Sequence, residues 1–183
     1  MRKLVVLIVL LGLCSLPVMA ADTPKAEVFG GYQYTHVSIS NANVSGNLNG
    51  WNASVTGNIN EYFGIAGDFS GSYGKIEGVT TRIYTYAGGP VVSLNREGKV
   101  NPFVHALFGG AHLSLSEEGS QTFNGFTMIM GGGVDVKASP RVAVRLIQAD
   151  WVYLHFGDTF SSLVGESNLK KNVRISTGIV FRF

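Results

Sequence analysis

The sequence predicts an all-β protein, an eight-stranded antiparallel up-and-down transmembrane β-barrel. Three observations lead there. Apolar and polar residues alternate strictly through much of the chain, the alternating segments are long enough to cross a bilayer as tilted strands, and the connections between them are short and long in turn.

The opening "MRKLVVLIVLLGLCSLPVMA" stands apart from that pattern. It has a basic start at Arg2 and Lys3, an apolar run from Leu4 to Leu13, and a small-residue exit at Val18, Met19 and Ala20. This is the form of a secretory signal peptide, and its apolar run is too short for a membrane helix. Cleavage is expected after Ala20 or Ala21, leaving residues 21–183 as a single barrel domain with no second domain after Phe183. Leu13 precedes Cys14 where an acylation site wants a smaller residue, so lipidation is not expected. Without the leader no cysteine remains, which removes disulfides and thiol chemistry.

The net charge of +2 belongs to Arg2 and Lys3: 14 basic residues less these two leaves 12, against 12 acidic ones. A near-neutral mature chain without a basic cluster excludes nucleic acid as a partner class. No later apolar run approaches the ~20 residues of a membrane helix.

Alternation places the strands at Lys25 to Ser38, Asn49 to Ile59, Tyr62 to Tyr73, Thr81 to Leu94, Asn101 to Leu113, Phe123 to Lys137, Arg141 to Phe156, and Asn172 to Phe183. In "NGWNASVTGNI" the odd positions Trp51, Ala53, Val55, Gly57 and Ile59 are apolar or small, and Asn52, Ser54, Thr56 and Asn58 between them are polar. In "YFGIAGDFSGSY", Phe63, Ile65, Phe69 and Tyr73 alternate with Asp68, Ser70 and Ser72. Two strands leave their facing open: in "RIYTYAGGPVVS" either parity suits lipid, and "FVHALFGGAHL" is apolar on both faces.

Short connections hold Asn60 and Glu61, Asn95 to Val100, and Ala138 to Pro140; longer ones hold Ile39 to Leu48, Gly74 to Thr80, Ser114 to Thr122, and Gly157 to Lys171. Tight inner turns and longer outer loops are the habit of membrane barrels. Aromatic residues fit two interfacial girdles, with Tyr62, Phe63, Phe103, Phe181 and Phe183 by the short turns, and Tyr34, Trp51, Tyr73, Tyr84, Phe126, Tyr153 and Phe156 toward the long loops.

The closing "GIVFRF", the eight alternating segments and the leader together resemble the OmpA-like outer-membrane β-barrel superfamily. The segment "GGGVDVKASPRVAVRLIQADWVYLHF" resembles its sixth and seventh strands, with Asp135, Arg145, Gln148 and Asp150 in the familiar order. The resemblance implies a bacterial outer-membrane location, with outer-membrane lipid and lipopolysaccharide as surroundings. It also implies an assembly signal at Phe183, Phe181 and Ile179, read by the barrel-assembly machinery.

Inward charges in so narrow a lumen should pair, because an isolated buried ion is costly. The turn "KASPR" sets Asp135 across from Arg145. Glu27 should meet Arg182 where the first and last strands close the barrel, with Arg174 also inward, and Asp68 should lie opposite Asn52. Arg145 is odd whereas Gln148 and Asp150 are even, so a β-bulge near Leu146 to Gln148 is required to bring all three inside. The network reads as a polar plug in preference to a switchable ion path, since a lumen of this size is filled by side chains.

No catalytic residue, metal site or cofactor is expected. His112 and Ser114 share a strand face, reminiscent of the His-x-Ser element of lipid A deacylases, but Glu117 and Glu118 stand at the wrong spacing to complete it. His105 and His112 have opposite parity, and His36 and His155 lie on strands separated by the last one, so no metal cluster forms. The glycines of "MGGGV" sit within a strand and make no phosphate loop. The expected role is structural or surface contact through the outer loops, where an extracellular ligand would bind. The alternatives are a narrow porin, a lipid A-modifying barrel enzyme, and a soluble periplasmic β-barrel binder.

Overall fold

The computed structural model describes residues 24–39, 44–76, 78–116, 120–157 and 168–183. The expected signal peptide lies outside them. Eight strands form a closed barrel in chain order: β1 (Ala26–Ile39), β2 (Val44–Asn58), β3 (Phe63–Ile76), β4 (Val79–Ser93), β5 (Val100–Ser116), β6 (Ser120–Ser139), β7 (Val142–Phe156) and β8 (Asn168–Arg182). Every neighbouring pair is antiparallel, and β1 against β8 completes the ring, with Glu27 paired to Arg182. Closure removes sheet edges, so each strand is paired with a neighbour on both sides.

The alternation in sequence is alternation in space. In β3 the burial of Ala66, Asp68, Ser70 and Ser72 alternates with exposure of Phe63, Ile65 and Phe69. The two undecided strands are now oriented. β4 turns Ile83, Thr85 and Ala87 inward and Arg82 and Tyr86 outward, and β5 turns Phe103 and Leu107 inward and Val104 and Phe108 outward. The outward set, which also includes Val55, Met130, Leu146, Ile175, Ile179 and Phe181, makes an apolar band around the barrel. Buried polar groups behind an exposed apolar wall invert the order of a water-soluble protein and match a lipid solvent.

Three expectations need correction. Strands run further than expected at the end away from the termini, so the connections there are residues 40–43, 77–78, 117–119 and 157–167. Half of the polar residues assigned to long loops are therefore strand residues, because backbone pairing continues after the lipid-facing pattern stops. Phe103 and Phe156 are not girdle members; they are 6% and 0% exposed and point into the lumen. The lumen is also not polar throughout. Val37, Leu48, Ile83, Leu113, Phe123, Leu154 and Phe156 form a continuous apolar layer toward the end away from the termini.

Candidate functional site

The buried charges of the lumen gather toward the terminal half of the barrel and around its middle. Arg174 of β8 is central. Its Nη1 donates to Asp68 Oδ1 of β3 at 2.9 Å, while its Nε and Nη2 reach Asp150 Oδ2 of β7 at 2.8 and 2.7 Å. One guanidinium thus joins three strands across the lumen. Asp68 also accepts from Asn52 Nδ2 at 2.8 Å. That bond is diagonal: in the ladder Asp68 stands opposite Ser54, and Asn52 opposite Ser70, two residues from the register expected from the turn.

Asp150 accepts from Gln148 Nε2 at 2.7 Å and faces His105 Nε2 at 3.0 Å. Gln148 in turn accepts from Arg145 Nη1 at 2.6 Å, and Arg145 Nε and Nη2 donate to the two oxygens of Asp135 at 2.8 and 3.0 Å. The chain from Asn52 to Asp135 is therefore unbroken. Charge-assisted bonds of this length are the strong kind, and the bidentate fork fixes orientation as well.

Local sequence explains how β7 brings odd and even residues to one side. Arg145 pairs with Gly178 of β8 and Gln148 with Ser176, so the ladder shifts between them, and Leu146 and Ile147 both face outward. This is the bulge that the parity of Arg145, Gln148 and Asp150 requires. The Arg145 guanidinium lies between the rings of Phe29 and Phe103, 4.3 Å from each centroid, which adds cation–π attraction. Gly133 makes that stacking fit: a Cβ there would come within 2.9 Å of Phe103 Cζ and 2.5 Å of the Ile147 carbonyl oxygen.

The terminal mouth is closed by a second group. Glu27 Oε1 lies 3.3 Å from Arg182 Nε, and Arg182 Nη1 reaches the Arg96 carbonyl at 3.4 Å. Arg96, in the β4–β5 turn, folds under the barrel and donates to the Asn60 carbonyl and to Ser93 Oγ. Burial pushes its guanidinium below the ordinary pKa, Glu27 pulls it back, and Arg182 adds repulsion. Among the described residues the buried carboxylates are Glu27, Asp68, Asp135 and Asp150, and the buried guanidiniums are Arg96, Arg145, Arg174 and Arg182. The two sets balance in charge.

Two network members escape sequence reasoning. His105 was hidden because β5 is apolar on both faces; its lumen side becomes visible only once Asn101 and Phe103 are known to point inward. Arg96 lies in a turn, where period-two alternation carries no information. The remaining histidines are outside the lumen: His36 Nδ1 pairs with Asn47 Oδ1 at 2.8 Å, His112 Nδ1 with Asn124 Oδ1 at 2.7 Å, and His155 is exposed. Ser114 stands on the His112 side of β5, while Glu117 and Glu118 are outside the described residues. No group of three or more metal-ligating side chains occurs among the described residues.

Among the described residues the lumen holds a void of about 20 Å³ lined by Glu27, Asp68, His105 and Asp135, and another of about 20 Å³ lined by Thr35, Ser72, Ile83 and Asn172. Each has room for about one water molecule, and Arg174 with its carboxylates stands between them.

The model of the family described as outer membrane protein beta-barrel domain matches residues 6–183. The chain belongs to that family. Membership in this outer-membrane family implies a bacterial outer-membrane location. Solved structures with the same architecture include Neisserial surface protein A, 16% identical with a TM-score of 0.66 over 87% of this chain and 97% of that one. Ail, the attachment invasion locus protein of Yersinia pestis, is 18% identical with a TM-score of 0.62 over 88% and 99%. The N-terminal β-barrel domain of Pseudomonas aeruginosa OprF is 11% identical with a TM-score of 0.55 over 88% and 99%. At such identities the likeness is one of fold. Among curated proteins, none matches this outer-membrane barrel.

Proposed function

We propose that the protein is a non-enzymatic outer-membrane barrel with a closed lumen, serving to brace the membrane and to present its outer hairpin ends for surface contact. The observation that carries this reading is Arg174, bonded at once to Asp68 and Asp150 and standing between two water-sized voids. An ion crossing the barrel would have to displace that bridge and wet the apolar layer above it. Export through residues 1–20 and recognition of Phe183, Phe181 and Ile179 by the assembly machinery belong to the same proposal.

Surface contact has a precedent in the fold. Ail has been solved in complex with the heparin analogue sucrose octasulfate, and for this chain an extracellular ligand is proposed at the outer hairpin ends, including the connection at 157–167.

Planar-bilayer recording, coupled to membrane fractionation and the gel mobility of boiled and unboiled samples, tests the reading. Outer-membrane recovery, a heat-dependent shift and no stable openings are expected. Stable wild-type openings whose size changes on Asp135→Asn or Arg145→Gln would establish the porin instead.

A further inference from the structure

The six described carboxylates divide between the lumen and the inner turns: Glu27, Asp68, Asp135 and Asp150 are buried inside, and Glu61 and Glu97 lie in the β2–β3 and β4–β5 turns. Among the described residues the outward strand faces carry none. They do carry two exposed cations near the outer end, Lys75 of β3 and Arg82 of β4, and neither is in an ion pair with a described residue. Glu77 belongs by sequence to the two-residue connection between their strands.

These cations adjoin an ordered aromatic group. Tyr73 stands directly opposite Arg82 in the β3–β4 ladder. The Trp51 indole donates to the Tyr73 hydroxyl at 3.1 Å, and the rings of Tyr73 and Tyr84 meet edge to face with centroids 5.7 Å apart. Trp and Tyr at one level of a membrane barrel mark the boundary between acyl chains and headgroups. Lys75 and Arg82 are therefore held at headgroup height, on a face with no carboxylate among the described residues.

We infer that the outward face of the β3–β4 hairpin binds the phosphate of an outer-leaflet lipopolysaccharide headgroup, with Arg82 and Lys75 as its cations and the Trp51–Tyr73–Tyr84 group beneath. The inference rests on the outer-membrane reading. Guanidinium geometry matches a phosphate's paired oxygens, and an ammonium supplies a mobile second charge. The aromatic hydroxyls and ring faces suit the sugar and upper acyl portions of the same lipid.

Native mass spectrometry of the refolded full barrel in detergent tests this, using bis-phosphorylated lipid A, dephosphorylated lipid A and inorganic phosphate as probes. Lys75→Gln/Arg82→Gln is expected to weaken binding of bis-phosphorylated lipid A about thirty-fold, as expected from removing two interfacial cations. Lys99→Gln/Arg141→Gln, which neutralises two exposed cations at the inner turns, is expected to bind as wild type. A heat-dependent mobility shift in each variant shows that it has folded. Wild-type affinity in the Lys75/Arg82 variant, or equal binding of dephosphorylated lipid A, overturns the inference. Displacement of lipid by inorganic phosphate at matching concentration also overturns it, in favour of a free-anion site. Because binding is read in detergent, these outcomes leave the membrane location untouched, whereas soluble recovery on fractionation would remove the location itself.

Discussion

Asp135 and Arg145 face one another directly across the β6–β7 ladder, and two guanidinium nitrogens hold the two carboxylate oxygens at 2.8 and 3.0 Å. Removing one partner of such a buried pair strands the other. Asp135→Ala is expected to cost about 3–5 kcal/mol, read by urea titration of the barrel folded in phospholipid vesicles. Asp135→Ala/Arg145→Leu should recover a large part of that loss, and equal instability of single and double variants would contradict the pairing.

Ala149 follows the bulge and faces outward at mid-strand in β7. With lipid outside, Ala149→Arg should destabilise by about 2–4 kcal/mol, whereas Ala149→Leu should be nearly neutral. Vesicle-based unfolding again measures both. A tolerated arginine would mean that this surface meets water.

Gly133 leaves room for the Phe103 ring that stacks on Arg145. Gly133→Ala is expected to cost about 1–3 kcal/mol by overpacking, and Phe103→Leu in the same chain should relieve part of it. A double-mutant cycle gives the coupling energy directly; simple additivity would show that the ring and the glycine are independent.

Phe183 serves the β1–β8 seam through its backbone. Its amide donates to the Ala26 carbonyl at 2.9 Å, and its carbonyl accepts from Lys25 and Ala26 at 2.7 and 3.1 Å. Deleting Phe183 should therefore lower both refolded stability in vitro and outer-membrane recovery in cells. Phe183→Ala keeps the backbone bonds and should reduce recovery while leaving refolded stability nearly unchanged. Equal effects of the two variants on both measurements would assign the residue a purely structural role.

Much of the barrel was legible because a thin wall between lipid and a crowded lumen forces every strand residue to one side or the other. Period two therefore reported burial directly for β1, β2, β3 and β8. It failed where both faces are apolar, as in β5, since Phe103 and His105 serve an interior that is itself partly apolar. It also overestimated the outer loops: Lys75 and Ser116 no longer fit the lipid-facing pattern, yet their backbones remain in the ladder. The charge pairs fixed by adjacent strands, Asp135 with Arg145 and Glu27 with Arg182, could be located from turn and closure geometry. The bond from Arg174 to Asp68 joins residues 106 apart; it depends on which side chains reach across the lumen, and no local pattern encodes that.

The same long bond gives the last strand a distinct part in barrel formation. β8 carries two seams of backbone bonds and, among the described residues, the one guanidinium bonded to both Asp68 and Asp150. A sheet lacking β8 would leave those two carboxylates without that cation, and an ion so placed is costly to strip of water without its partner. Closing the ring and drying its middle are therefore coupled through one side chain, and a chain cut before Arg174 would keep a wet, open cleft.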